Sequence, residues 1–281
     1  MKQTSDIDQM STVFIKPSRS WVWPQIRDVW AYRELLYFLV WRDLKVRYKQ
    51  TALGVLWAII QPFFLMVIFS IFFGKLARIP SEGIPYPVFA YAALLPWSYF
   101  AKSLNACSES LVGNSHLITK VYFPRLIIPI SSVLSGLVDF GISFSILLAM
   151  MFYYKISPTL ATLLLPLLVV MAMATAIGAG LWFSALNVRY RDIRYAISFL
   201  IQFWFFATPV VYPSSLVPGR WRCLYSLNPM TGVVEGFRGA LLGKGQLDWP
   251  MFTVSIMVIV FLLLTGTFYF RRMESEFADV V

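Results

Sequence analysis

The spacing of its charges constrains this 281-residue chain more than any other feature. Uncharged runs of 25 residues separate Lys49 from Lys75, and of 19 residues Glu82 from Lys102. Arg125 to Lys155 leaves 29 interrupted only by Asp139, and Lys155 to Arg189 leaves 33. Arg194 to Arg220 leaves 25, and Asp248 to Arg271 leaves 22. A hydrocarbon core of ~30 Å takes about 20 helical residues. The runs therefore predict an all-α polytopic membrane protein with six transmembrane helices. The first falls at about 53–74, the second at about 86–108, and the fourth bends at Pro166. Composition agrees: 58% of residues are hydrophobic and 14% charged, against about 25% charged in soluble domains. A chain this apolar is neither a soluble globule nor a disordered one.

Orientation follows from Lys and Arg. Residues 1–52, 110–125, 187–194 and the C-terminal tail together carry sixteen, and the opposite loops seven. The positive-inside rule then places both termini in the cytoplasm. The formal charge of +10 reads as this topology signal rather than as a nucleic-acid footprint, because the charges cluster at the ends of apolar runs. The polar first twenty residues carry no cleavable signal sequence, and the first long apolar run would stay as an anchor. On this topology Cys107 and Cys223 lie on opposite sides, so neither a disulfide nor a metal site is expected.

Three further segments stand out. Residues 1–24 read as a polar cytosolic tail. Residues 25–50 read as an amphipathic interfacial helix, with Val29, Leu36, Val40 and Leu44 at helical spacing and Arg42, Lys45 and Lys49 on one face. Between the fifth and sixth spans, residues 213–248 hold apolar pieces too short to cross, broken by Asn228-Pro229 and several glycines. Irregular backbone cannot face lipid, so a re-entrant helical hairpin packed on protein is expected there.

Enzyme signatures are nearly absent. The lone His116 lacks metal-ligand neighbours. The stretch Gly239 to Lys244 is one residue short of a P-loop and lies on the external side. Asp6-Ile7-Asp8 imitates a metal–nucleotide pair but sits in the polar tail. Asp139 is the one carboxylate well inside a span. It fits either a proton-coupled carrier or a structural partner for a hydroxyl or Lys102. Glu235 and Arg238, at i and i+3, read as a structural pair fixing the hairpin. No internal repeat is visible, which argues against a repeat-built secondary transporter. Tyr195, Phe199, Phe203 and Phe206 form one aromatic face on the fifth span. Trp57, Phe63, Phe64, Phe69, Phe72 and Phe73 enrich the first. Rings of this kind suit a sugar-polymer path, since they stack on sugar faces without holding them tightly; they equally suit lipid and ordinary packing.

The text of the chain then becomes specific. The stretch Arg42-Asp-Leu-Lys-Val-Arg-Tyr-Lys-Gln-Thr-Ala-Leu-Gly-Val-Leu-Trp57 is followed by Gln61-Pro62, Pro85-Tyr-Pro87 and Trp97-Ser-Tyr-Phe100. Then come Asn114, Leu117-Ile-Thr-Lys-Val-Tyr-Phe-Pro-Arg125, Asn187-Val-Arg-Tyr-Arg-Asp192, Thr208-Pro209, Asn228-Pro-Met-Thr and Glu235-Gly-Phe-Arg-Gly239. In this order they resemble the ABC-2 type polysaccharide export permeases, the membrane subunits of O-antigen, capsule and teichoic-acid exporters. The resemblance implies a non-enzymatic half-transporter, residues 51–281 forming its six-span domain, which works as a homodimer in a bacterial inner membrane. It implies two copies of a cytosolic ATPase subunit that bind ATP and Mg, with no cofactor on this chain and no nucleic acid among the partners. The 110–125 loop becomes the coupling segment, with Asn114, Leu117, Lys120, Tyr122 and Phe123 matching the family pattern. Arg42, Lys45 and Lys49 would attract the pyrophosphate end of a lipid-linked polysaccharide at an entrance bordered by lipid headgroups. Asn228, Pro229, Glu235 and Arg238 belong to a hairpin that would shape the exit. O-antigen leads as the substrate, with capsular polysaccharide or teichoic acid next. A membrane-embedded glycan-synthesis enzyme or scaffold is the competing class.

Overall fold

The computed structural model describes residues 26–49, 54–243, 248–274 and 277, and no strand occurs among them. The expected polar tail 1–24, with Asp6 and Asp8, lies outside the described residues, as does Lys244. Helix α1 spans Ile26–Ala31 and α2 spans Arg33–Lys49, so the expected interfacial helix is broken once, at Tyr32. Helix α3 (Gly54–Phe69) widens into a π-helical turn over Ser70–Leu76. Next come α4 (Tyr86–Gly113), α5 (Ser115–Lys120), α6 (Ile127–Tyr153) and α7 (Leu165–Arg189). Helices α8 (Ile193–Phe206), α9 (Gly219–Ser226), α10 (Pro229–Leu242) and α11 (Trp249–Met273) complete the chain.

Among the described residues four helical stretches are long and apolar enough to cross a membrane: 56–76, 127–153, 160–189 and 249–273. Helix α4 is longer than most of these, with 28 residues, yet it carries Lys102, Asn105 and Glu109. Its position explains the tolerance. It packs against α3, α6, α7, α8 and α10, and most of it from Tyr86 to Leu111 is buried. A helix screened by its neighbours does not need a lipid-compatible surface. Helix α8 has 14 residues and at 1.5 Å per residue rises only about 21 Å. The uncharged run that predicted a fifth span therefore splits into a short helix and the turns after it. Pro166 sits in the first turn of α7, where its missing N–H costs nothing.

Prolines and glycines inside the bundle have identifiable compensation. Pro62 leaves the Ala58 carbonyl without its helical donor, and the Ser143 hydroxyl of α6 donates to that oxygen at 3.0 Å. Helices α7 and α11 cross at Gly178 and Gly266, where a Cβ on Gly266 would stand 2.2 Å from the Gly178 carbonyl oxygen. Apolar helices in lipid associate by such close approach of backbones rather than by a hydrophobic driving force. Beside the crossing, Trp182 stacks on Tyr269 at 4.2 Å.

Segments that the charge count assigns to one side do gather at one end of the bundle. Arg194 pairs with Glu109 at 3.0 Å, Asn187 donates to the Ser108 carbonyl, and the Arg125 guanidinium donates to the Glu274 carbonyl. At the other end Tyr86 donates to the Val211 carbonyl, and Thr159 and Thr162 both donate to that of Ala240.

Candidate functional site

Helix α2 is held at two points. Five residues apart, Arg42 and Arg47 reach different parts of the molecule. The Arg42 guanidinium donates to Asp43 at 2.8 Å and to the Asn114 side-chain oxygen at 2.8 Å. Asn114 joins α4 to α5, and its amide also donates back to the Ser110 carbonyl at 2.8 Å. Arg47 turns inward and pairs with Asp139 of α6 at 2.6 Å. The Tyr48 hydroxyl donates to the other oxygen of the same carboxylate; burial, then the bond to Asp139, pushes that phenol up from its ordinary range. The expected partner Lys102 is not bonded to Asp139, because α2 lies along α6 and fills that role from the other side. Arg47 and Tyr48 are site residues that the sequence reading does not single out. Their place in the run Arg42 to Trp57 was the available signal.

The remaining face of α2 is exposed in two neighbouring stripes. Tyr37 and Trp41 form one, and Phe38 lies beside Lys45 and Lys49 in the other; Trp30 of α1 is exposed as well. Aromatic rings next to basic side chains are what a helix at the level of lipid headgroups presents.

Between α2, α3, α4 and α6 lies a cavity of about 360 Å³. Apolar walls from Trp57, Pro62 and Phe140 meet polar ones from Gln61, Ser98, Lys102, Ser132, Arg47 and Asp139.

The 110–125 segment is pinned at both ends, by Arg42 on Asn114 and by Glu274 on Arg125. In between, Lys120 is exposed and Tyr122 is 78% exposed, whereas Phe123 is buried and Leu117 half-buried against the same cluster. Lys120 and Tyr122 thus lie on the surface, while Phe123 anchors the loop. His116 is exposed. No group of three or more His, Cys, Asp or Glu side chains among the described residues could hold a metal. Cys107 is buried and free; the side chain of Cys223 lies outside the described residues.

The four rings of the stripe expected on α8, Tyr195, Phe199, Phe203 and Phe206, are exposed, as are Trp57 and Phe63 of α3. The inward rings of α8 are instead Trp204 and Phe205. Phe205 packs on Phe69 and Trp97, and Trp204 on Phe100. Apart from Trp57, which also borders the cavity, the stripe is an outer surface of a single chain.

The described part of the 213–248 segment up to Gly243 is mostly helical, and α10 within it is tightly held. Asn228 caps α10 by accepting from the Met230 N–H, with Pro229 in the first turn. Its oxygen also accepts from the Trp204 indole at 2.8 Å, and its amide donates to Ala207 and Thr208. Gly243 closes the helix at φ 63°, a left-handed conformation suited to glycine. Arg238, only 3% exposed, donates to the carbonyls of Val210 at 2.6 Å and Tyr212 at 3.1 Å, and to Glu235 at 3.3 Å. Its guanidinium also lies 3.7 Å above the centre of the Phe89 ring. Glu235 accepts in addition from the Ser214 N–H at 3.1 Å. Burial raises the Glu235 carboxyl above its ordinary value, and Arg238 opposes that rise. The expected pairing of Glu235 with Arg238 is present, and the further bonds of the two side chains lock α10 to α4 and to the chain after α8.

Residues 34–242 match the family of ABC-2 type transporters. The chain is 30% identical over 259 residues to the O-antigen export system permease protein RfbA of Myxococcus xanthus, covering 91% of this chain and 98% of that protein. It is 28% identical over 249 residues to an O-antigen export system permease protein RfbA of Klebsiella pneumoniae, covering 88% and 95% respectively. It is also 24% identical over 243 residues to the polysialic acid transport protein KpsM of Escherichia coli, covering 83% and 91%. The match spans α2 to α10, including the clamp on α2, the 110–125 segment and the pinned α10: the chain belongs to the ABC-2 type transporter family and is a multi-pass membrane protein.

Proposed function

We propose that this chain is the permease subunit of an ATP-driven exporter that carries a lipid-linked polysaccharide, O-antigen first, from cytoplasm to periplasm. The observation that carries the reading is its likeness to O-antigen export permeases over almost their full length. The weaker likeness to a polysialic acid transport protein makes capsular polysaccharide the second reading.

The physical requirements of that task match the parts present. A hydrated polymer cannot cross hydrocarbon, so it needs a continuous protein-lined path. One chain offers α3, α4, α6, α7, α8 and α11 as spans, with α8 continued by the buried Val210 and Val211. Two copies offer twelve. Because Tyr195, Phe199, Phe203 and Phe206 lie on the outside of one chain, a path between two chains is where they would meet a glycan. Helix α10, with its pinned neighbours, is the re-entrant piece at the far end of that path. A cytosolic ATPase would seat the 110–125 segment through Lys120 and Tyr122. Its closure would then reach α2 through the bond between Asn114 and Arg42. Both termini lie in the cytoplasm of the inner membrane on this reading, which sets the direction of transport.

Inverted inner-membrane vesicles carrying this chain and its ATPase test the proposal. Addition of ATP should move cytosol-facing lipid-linked glycan into the vesicle lumen, where an externally added glycosidase no longer reaches it. If the glycan stays accessible with and without ATP, the chain is not its exporter.

A further inference from the structure

The last turn of a terminal helix is loosely held unless something ties it down. Helix α11 stops at Met273, yet Phe277, four residues further on, is fully buried. Its ring meets that of Phe270 edge-on at 5.1 Å. It belongs to the buried cluster that also holds Leu39 of α2, Leu111 of α4, Ile118 of α5 and Phe123. Glu274 supplies the polar half of the attachment. Its carboxylate accepts from the Arg125 backbone N–H at 3.3 Å, and its carbonyl accepts from the Arg125 guanidinium. Arg271, one turn back, stands 3.9 Å from the second carboxylate oxygen.

The 110–125 segment needs such support. Helix α5 has six residues, and helices shorter than about 12 residues do not hold themselves in water. Its position, and that of the chain after it, comes from what lies beneath. Ile118 and Phe123 form the buried side, whereas Lys120, Val121 and Tyr122 are exposed. The exposed trio is therefore presented by two side chains that rest on the cluster. Phe277 and Phe270 are the fully buried rings of that cluster, and rings bury more apolar area than aliphatic side chains do. At one end Arg42 fastens the segment to α2 through Asn114. At the other, Glu274 fastens it to α11, which crosses α7 at Gly178 and Gly266.

We propose that Glu274 and Phe277 act as a C-terminal strap: they position the 110–125 segment so that Lys120 and Tyr122 meet the ATPase in one orientation, and they tie that contact to α11. The strap rests on the exporter reading for the ATPase alone. The burial of Phe277 does not depend on it.

Two measurements on the full-length chain in nanodiscs test this: hydrogen–deuterium exchange, and affinity for its ATPase. In Phe277→Ala the amides from Leu117 to Val121, which are bonded within the α5 turn, should exchange at least tenfold faster. Those of α7 should keep the parent rate, which shows that the bundle is folded. Affinity for the ATPase should fall at least fivefold, and Phe277→Leu should restore most of both by refilling the apolar space. Glu274→Ala should release the Arg125 amide and weaken the ATPase in the same direction, whereas Glu274→Gln keeps an acceptor and should stay near the parent. Parent-like exchange from Leu117 to Val121 in Phe277→Ala would overturn the strap. So would faster exchange with unchanged affinity, because Phe277 would then support the fold and nothing more. A parent chain that binds no ATPase would overturn both the strap and the exporter reading. One that binds the ATPase and shows the expected variant effects, but moves no glycan, would support the strap and refute only the exporter reading.

Discussion

Replacing Arg238 by methionine removes the guanidinium that locks α10 in place while keeping much of the side chain's volume. Two of its bonds, 2.6 Å to the Val210 carbonyl and 3.1 Å to the Tyr212 carbonyl, join a charged donor to backbone oxygens, at about 1.5–3 kcal/mol each. The pair with Glu235 goes as well, leaving that carboxylate facing an apolar side chain. Breaking a buried pair by removing one partner costs about 3–5 kcal/mol. The sum of the two carbonyl bonds falls in the same range, so a loss of about 3–5 kcal/mol is expected. Lysine in its place keeps the charge but not the planar fork, and should lose less. Adding Glu235→Gln to the Arg238→Met variant removes the stranded charge and should recover part of the loss. Reversible unfolding in mixed detergent micelles, followed by far-UV circular dichroism, measures all four proteins. If Arg238→Met unfolds within about 1 kcal/mol of the parent, below the cost of a buried uncompensated partner, the lock described here is not what holds α10.

Other perturbations have equally definite outcomes. Gly266→Ala puts a methyl group where the Gly178 carbonyl oxygen stands 2.2 Å away, so α7 and α11 must part at about 1–3 kcal/mol; an unchanged unfolding midpoint in the same micelles would refute the close crossing. Asn114→Ala unties α5 from Arg42 of α2 and should lower ATP-driven glycan uptake by inverted vesicles several-fold while the ATPase still hydrolyses ATP. Full uptake would show that the bond carries no motion. Asp139→Asn keeps a bonding oxygen for Tyr48 but weakens the pair with Arg47, so it should lower stability and leave export present. Complete loss of uptake in a folded variant would instead favour a proton-coupled role for Asp139.

Much of this architecture is legible from charge spacing alone, because a run without charge is what a lipid-crossing helix requires. The stretches at 56–76, 127–153, 160–189 and 249–273 are the plain cases. The chain at α4 and α8 is harder to read for opposite reasons. Helix α4 is largely buried among its neighbours, and its charges face polar surroundings, Lys102 on the cavity and Glu109 on Arg194. Helix α8 stops at Phe206 although the apolar text runs on to Pro218. Hydropathy records what can enter an apolar environment, not where the helix ends inside it. The pairing of Glu235 with Arg238 is visible at i and i+3, since one turn brings them together. The partners of Asp139 are not, because Arg47 and Tyr48 arrive from a helix ninety residues earlier, and only the packing of α2 on α6 selects them over Lys102. Exposure of the α8 rings is likewise a tertiary fact: the stripe is periodic in sequence, but nothing local says which face turns outward.

Export itself is tested most directly by deleting the gene and locating the surface glycan. Fractionation with immunoblotting separates glycan on the cytosolic side from glycan at the cell surface. An exporter permease predicts that full-length, lipid-linked polymer accumulates on the cytosolic side and reappears at the surface when the gene is restored. Absence of any polymer in the deletion strain would contradict export and place the chain in glycan synthesis instead.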